Sequence, residues 1–190
     1  MVDFRKMMLL LVVLAVSVGL ASAQTITPLS CNATAGSPPL LRAEGLAEEV
    51  GQVLIECTGG QPTAMGAAIP TVNIYVYLTA TTTLTSRLYA NNASEALLTI
   101  DDPAPTDQLL CPSPGNCTRN AVNSIGTGNY DGTGNRSNVF QATKFTENSV
   151  VWNGVPVDPP GTSGKRSLRI TNIRRSEERR VGKECRSRWA

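Results

Sequence analysis

The chain has no histidine. That removes Ser-His and Cys-His nucleophile pairs and every histidine-ligated metal. It also lacks a G-x-S-x-G elbow, a P-loop and a dinucleotide fingerprint, so it offers no strained nucleophile turn and no phosphate cradle. Aromatics are scarce, at 3 Phe, 4 Tyr and 2 Trp in 190 residues. No long helical period is present, which argues against a helical bundle. No run reaches membrane-spanning length either. The stretch Met7 to Leu20 is apolar or small over 14 residues, where about 20 are needed to cross ~30 Å of hydrocarbon.

That short run has another meaning. Arg5 and Lys6 precede it and Ala21-Ser22-Ala23 follows it. A positive start, an apolar middle and a small-x-small end make a cleavable secretory signal over residues 1–23. The mature chain is then expected to start at Gln24. No cysteine sits at the cleavage point, which argues against a lipoprotein. The expected location is therefore secreted or cell surface.

The other end carries a second feature that is not a fold. Arg175 to Trp189 reads RSEERRVGKECRSRW. Over these fifteen consecutive residues it resembles a common sequencing adapter translated in one frame. Ala190 departs from the Ser that such an adapter would encode next. The resemblance implies that residues 175–190 are artefact and that the domain in 24–174 is cut short at its C-terminus. Read as protein, six basic residues beside Trp189 point to nucleic acid or an anionic membrane. Setting tail and leader aside reverses that. Of 17 basic and 15 acidic residues, Gln24 to Arg174 keeps nine and eleven, a net charge of −2. This leaves no electrostatic case for a nucleic-acid partner.

Cysteine follows the same logic. Cys185 lies in the adapter-like tail, so an odd five becomes an even four: Cys31, Cys57, Cys111 and Cys117. An even set in an exported chain reads as two disulfides, and four cysteines allow three pairings. The local pairs Cys31–Cys57 and Cys111–Cys117 are favoured. Zinc is the alternative, but the spacings lack C-x₂-C and histidine is absent.

The remaining 150 or so residues suit one domain with a real core. Short apolar alternations between Gly, Pro, Asn and Thr point to an all-β fold, an antiparallel Ig-like β-sandwich. The clearest strand is Thr71 to Leu78. A period of two turns Val72, Ile74, Val76 and Leu78 inward, and Thr71, Asn73, Tyr75 and Tyr77 outward. Gly51 to Cys57 predicts another strand, with Val53 and Ile55 on the face of Cys57, running into a Gly59-Gly60 turn. Leu40 to Ala43, Thr83 to Tyr89, Glu95 to Ile100, Asn138 to Phe145, Ser149 to Trp152 and Arg166 to Ile173 complete the set. Asn91-Asn92 and Asn148 are expected turns, Asp101-Asp102-Pro103 a strand end, and Val155-Pro156-Val157 with Pro159-Pro160-Gly161 a bridging loop. Residues 103–137 repeat Gly-Thr-Gly-Asn at 126 and 132 and hold little apolar content. They are expected to form a long exposed Gly/Asn-rich loop.

Chemistry has few candidates. Glu95, Asp101, Asp102 and Asp107 lie close in sequence, and two carboxylates can serve as acid and base in a glycosidase. Acidic residues beside proline at a strand end are more often solvated turn formers, so no catalytic residue is assigned. Calcium is the one cofactor considered. Asp101 and Asp102 are candidate ligands, and Asp131 is a third in a loop with too little charge for a tight site. Sequons occur at Asn32, Asn92, Asn116 and Asn135, as expected by chance in a chain rich in Asn and Thr. An exposed Tyr75–Tyr77 pair suits stacking on sugar rings, although such pairs more often pack under a loop or a neighbouring domain.

The segments LRAEGLAEEVGQVLIECTGG (Leu41 to Gly60), IPTVNIYVYL (Ile69 to Leu78), SEALLTIDDP (Ser94 to Pro103), NVFQ (Asn138 to Gln141) and RITNIR (Arg169 to Arg174) span most of the mature chain. They resemble the N-terminal region of large exported proteins of unknown function from soil bacteria of acidobacterial type. The resemblance implies a piece of a longer, multi-domain surface protein and brings no known activity. The expectation is thus a non-enzymatic, structural or adhesive module. Its partners would be a surface glycan or downstream domains of the same protein. The alternative is a carbohydrate-binding or carbohydrate-active module.

Overall fold

A computed structural model describes residues 27–36, 46–64, 67–79, 82–112 and 137–176. The leader, the segment from Leu40 to Ala43, Cys117, Asp131 and the tail beyond Ser176 lie outside the described residues. In chain order the strands are β1 Ser30–Ala35, β2 Glu48–Glu49, β3 Val53–Gly59, β4 Thr71–Tyr77, β5 Ala93–Ile100, β6 Val139–Thr146, β7 Ser149–Pro156, β8 Gly161–Thr171 and β9 Arg174–Arg175. The fold is all-β and antiparallel, as the alternation predicts. Seven strands join in the order β1-β3-β8-β5-β6-β7-β4, while β2 and β9 pair with each other. The ladder runs through all seven strands as one curled sheet.

The register explains the core. Residues directly opposite on neighbouring strands share a face. One row therefore runs Val53, Ile170, Leu98, Phe140, and the next runs Ile55, Leu168, Ile100. Val150 and Trp152 of β7 extend this face and stand opposite Val76 and Ile74. Leu98, Ile100, Ile170, Val150 and Trp152 are almost wholly buried, each stabilising by roughly 1.5–3 kcal/mol or more. The Trp152 indole N–H donates to the Phe140 carbonyl at 3.1 Å, so its one polar group is satisfied inside the core.

Strand β4 keeps its predicted faces with one exception. Ile74, Val76 and Leu78 pack on the core, while Thr71, Asn73, Tyr75 and Tyr77 are exposed. Val72, expected inward, is also exposed. A register shift against β7 lies between Val72 and Ile74, and Val72 still stands opposite the buried Val155. Asn153 and Gly154 together oppose Asn73 there. Gly154 takes φ +63, and its N–H donates to Asn73 Oδ1 at 2.9 Å. This is a bulge that glycine permits.

Other boundaries also move. Thr83 to Tyr89 is not a strand; only Leu84 and Leu88 make isolated bridges. Its N–H groups go to different neighbours, Leu84 to Glu147 and Thr85 to Arg174, so no single ladder forms. Val155 and Pro156, expected in a loop, continue β7 opposite Val72 and Thr71. Asn172 has φ +61 and breaks β8 before Ile173, which drops into the core. The polar stretch after Pro103 is only partly exposed in its described residues. Cys111 joins the core, its N–H donates to the Val139 carbonyl at 2.8 Å, and Ser137 is buried. Arg175 and Ser176, the first adapter-like residues, are held through backbone groups, including Ser176 N–H to the Thr83 carbonyl at 3.0 Å. Any residue supplies those groups.

Cys31 and Cys57 stand opposite each other in the β1–β3 register and are bonded. Cys111 is disulfide-bonded as well, and its expected partner Cys117 lies outside the described residues. Strand β1 is exposed along its whole length, so burial contributes little to holding it. Backbone pairing and the disulfide hold it instead. Replacing Cys31 by Ser is expected to lower stability in urea by about 3 kcal/mol. Amide protection should fall first along Ser30–Ala35. Unchanged unfolding and exchange in the variant would show that the bond is dispensable.

Candidate functional site

Glu95, Asp101, Asp102 and Asp107 are the sequence's candidates for acid–base chemistry, and Asp101 and Asp102 are also its candidates for calcium. Strand β5 ends at Ile100, and Asp101 and Asp102 then take φ +59 and +43. This left-handed region is one that Asp tolerates better than most side chains. The corner turns both carboxylates toward β8. Asp101 Oδ1 accepts the Ser167 N–H at 3.0 Å, and the Asp101 N–H donates to the Ser167 carbonyl at 2.8 Å. Asp101 Oδ2 accepts from Arg166, whose Nε–H donates to the Asp158 carbonyl at 3.1 Å. Asp102 receives Arg169 through two parallel bonds of 2.6 and 2.7 Å. The third arm of Arg169 donates to Gln52 Oε1 at 3.0 Å. A two-pronged guanidinium–carboxylate pair is the strong, geometrically specific form of this contact.

The other two acids do not join this corner. Glu95 accepts the Arg87 N–H at 3.0 Å and pairs with Arg174 at 3.1 Å. Asp107 is exposed, and its carboxylate accepts from Thr106. Its backbone carbonyl accepts from Asn138, whose own side-chain oxygen takes the Leu109 N–H at 2.8 Å. Asn138 is fully buried. It was read from sequence only as the first residue of a strand; an isolated Asn gave no sign that it would pin the segment before it.

This arrangement is poor for acid–base work. A general acid needs its carboxyl raised toward the working pH. The Arg169 hydrogen bond, aided by its charge, holds the Asp102 carboxyl below its usual range against the opposing effect of desolvation. Asp102 in turn raises the already high Arg169 value. A calcium ion needs six or more oxygen ligands, and two guanidinium groups already sit on Asp101 and Asp102. Asp131 lies outside the described residues.

The aromatic pair has a different setting. Tyr75 and Tyr77 stand on the outer face of β4, 43% and 61% exposed. Their ring centroids are 6.2 Å apart with planes within 14°. Phe145 of β6, 54% exposed, meets Tyr75 edge-on at 5.3 Å. Between them Val151, opposite Tyr75, is buried. Phe145 is a residue the sequence reading missed as a partner. Alternation along β6 places it outward with Thr143, but only the order β6-β7-β4 brings it to Tyr75. The three rings, with Thr71 and Asn73 exposed on the same strand, make an uncharged patch on a rigid sheet.

Because the Asp102 carboxyl is depressed when folded, its contribution is fully present above the unfolded value near 3.9. It is lost as pH falls through the lower folded value. Stability to urea should therefore fall as pH drops below about 5, and Asp102→Asn should flatten that slope while lowering stability at pH 7. An unchanged slope in the variant would show that the pair carries no linkage. The raised Arg169 value has no effect in this window.

Comparison of the chain with protein families, curated proteins and solved structures finds no match.

Proposed function

We propose that the chain is a non-enzymatic, adhesive module of a secreted or cell-surface protein. The observation that carries this reading is the exposed aromatic patch of Tyr75, Tyr77 and Phe145 on a sheet whose opposite face is a packed core. Aromatic rings held out from a rigid support lose little side-chain freedom on binding. The acidic residues add support, since Asp101, Asp102 and Glu95 are already paired with arginines that fasten the fold. The Cys31–Cys57 bond fits an oxidising compartment. Among the described residues no helix is long and apolar enough to cross a membrane. The leader-like N-terminus and the resemblance to exported soil-bacterial proteins are in keeping with export.

Carbohydrate is the second reading, and one specific observation favours it. It requires both tyrosines to be exposed, and both are. Aromatic faces beside hydroxyl and amide groups suit neutral sugar rings. Affinity electrophoresis of the oxidised protein in gels containing soluble glucans, xylan or chitosan fragments tests this. Retardation is expected, and Tyr75→Ala with Tyr77→Ala should weaken it at least about tenfold, the effect of losing well-buried aromatic anchors. Retardation that survives both changes removes the patch from the reading. Turnover of any glycan that is lost in Glu95→Gln or Asp101→Asn overturns the non-enzymatic proposal itself.

A further inference from the structure

Strand β4 is an edge. Among the described residues it pairs with β7 alone, so the backbone groups along its other side meet no strand. An open edge is a template for another strand, and proteins usually guard it with charge, proline or short length. Thr71–Tyr77 has seven residues, no charge and no proline. It also carries the apolar groups that an added strand would cover: Val72, Tyr75 and Tyr77 exposed on it, with Ile74 and Val76 only partly buried.

The opposite edge is different. Strand β1 reads SCNATA, has no large apolar side chain to cover, and is clasped to β3 by the disulfide. The two edges are therefore not complementary, and head-to-tail growth of sheet on sheet is disfavoured. A strand that matches β4 is β4 itself. Two copies related by a two-fold axis run antiparallel, which is the pairing already used throughout this sheet. An axis at Val76 places each Tyr75 opposite the partner's Tyr77. Aromatic pairs directly across an antiparallel ladder are favourable, and an uncharged strand brings no like charges together.

We infer that β4 is a self-association edge at which two copies of this chain join into one continuous sheet. The contact closes at two because the same patch is used on both sides. It is small beside the roughly 800 Å² per partner of stable complexes, so the dimer is weak and concentration-dependent. At a cell surface, where copies are crowded, such a contact links neighbouring molecules. The inference concerns the strand edge and stands whether or not the outer face binds sugar.

Sedimentation velocity on the full chain, from about 5 μM to about 1 mM, spans the affinities expected of so small an interface. A reversible shift from monomer to dimer is expected. Hydrogen exchange over the same range should show rising protection along Thr71–Tyr77 and none along Ser30–Ala35. Tyr75→Lys with Tyr77→Lys sets like charges opposite each other and should weaken the dimer about tenfold or more. Both positions are exposed, and the wild-type exchange experiment decides the question even if this variant folds poorly. A monomer throughout the range overturns the inference, and so does assembly that grows past the dimer. Protection that appears at β1 instead overturns it too. A monomer that binds soluble glycan through the same tyrosines assigns the surface to carbohydrate and overturns the edge proposal alone.

Discussion

Four residue pairs hold the sheet together. Leu97, Leu98, Thr99 and Ile100 of β5 stand opposite Thr171, Ile170, Arg169 and Leu168 of β8. On one side of this seam lie β3 and β1; on the other lie β6, β7 and β4. The seam joins strands that are more than sixty positions apart in the chain, so a large loop-closure cost precedes it. Its inner face contributes Leu98, Ile100, Leu168 and Ile170 to the core. At the end of β5, Asp101 and Asp102 reach Arg166, Ser167 and Arg169 and lock the register. A one-residue slip turns every inward side chain outward, and it also separates both acid–arginine pairs.

That role accounts for the pairing of Asp101 and Asp102. The same residues that are suggestive in a list of carboxylates are, in space, the fastening of a non-local strand pair. Their charges are met by guanidinium groups, and Arg166 is itself buried against the Asp158 carbonyl. Among the described residues the fold also leaves an aromatic surface open. It is the aromatic outer face around Tyr75 and the unpaired side of β4.

Much of the strand pattern was legible in advance. Thr71 to Tyr77 and Glu95 to Ile100 form strands as their alternation requires, Asn148 turns between β6 and β7, and Asn91-Asn92 turns into β5. Asn91 and Asn92 both take positive φ, which asparagine accepts more readily than most. The failures have physical reasons. Thr83 to Tyr89 has strand-like residues, but its hydrogen bonds are divided among several neighbours. Pro156 looks like a loop residue, yet proline is tolerated at a strand end. Val72 keeps its period, opposite the buried Val155, yet is exposed near the start of β4.

From the residues alone came the leader-like start, the adapter-like end, the even cysteine set, the all-β class and the inward face of β4. Each of these depends on local order: a charge before an apolar run, a count, a period of two. Tertiary structure decided the rest. It set the order of seven strands in one curled sheet, put Phe145 beside Tyr75, and set the arginines of β8 on the acids after β5. Those outcomes depend on which distant strand lies next to which. Periodicity gives each strand a face but not a neighbour, because any strand with the right period can complete the same ladder.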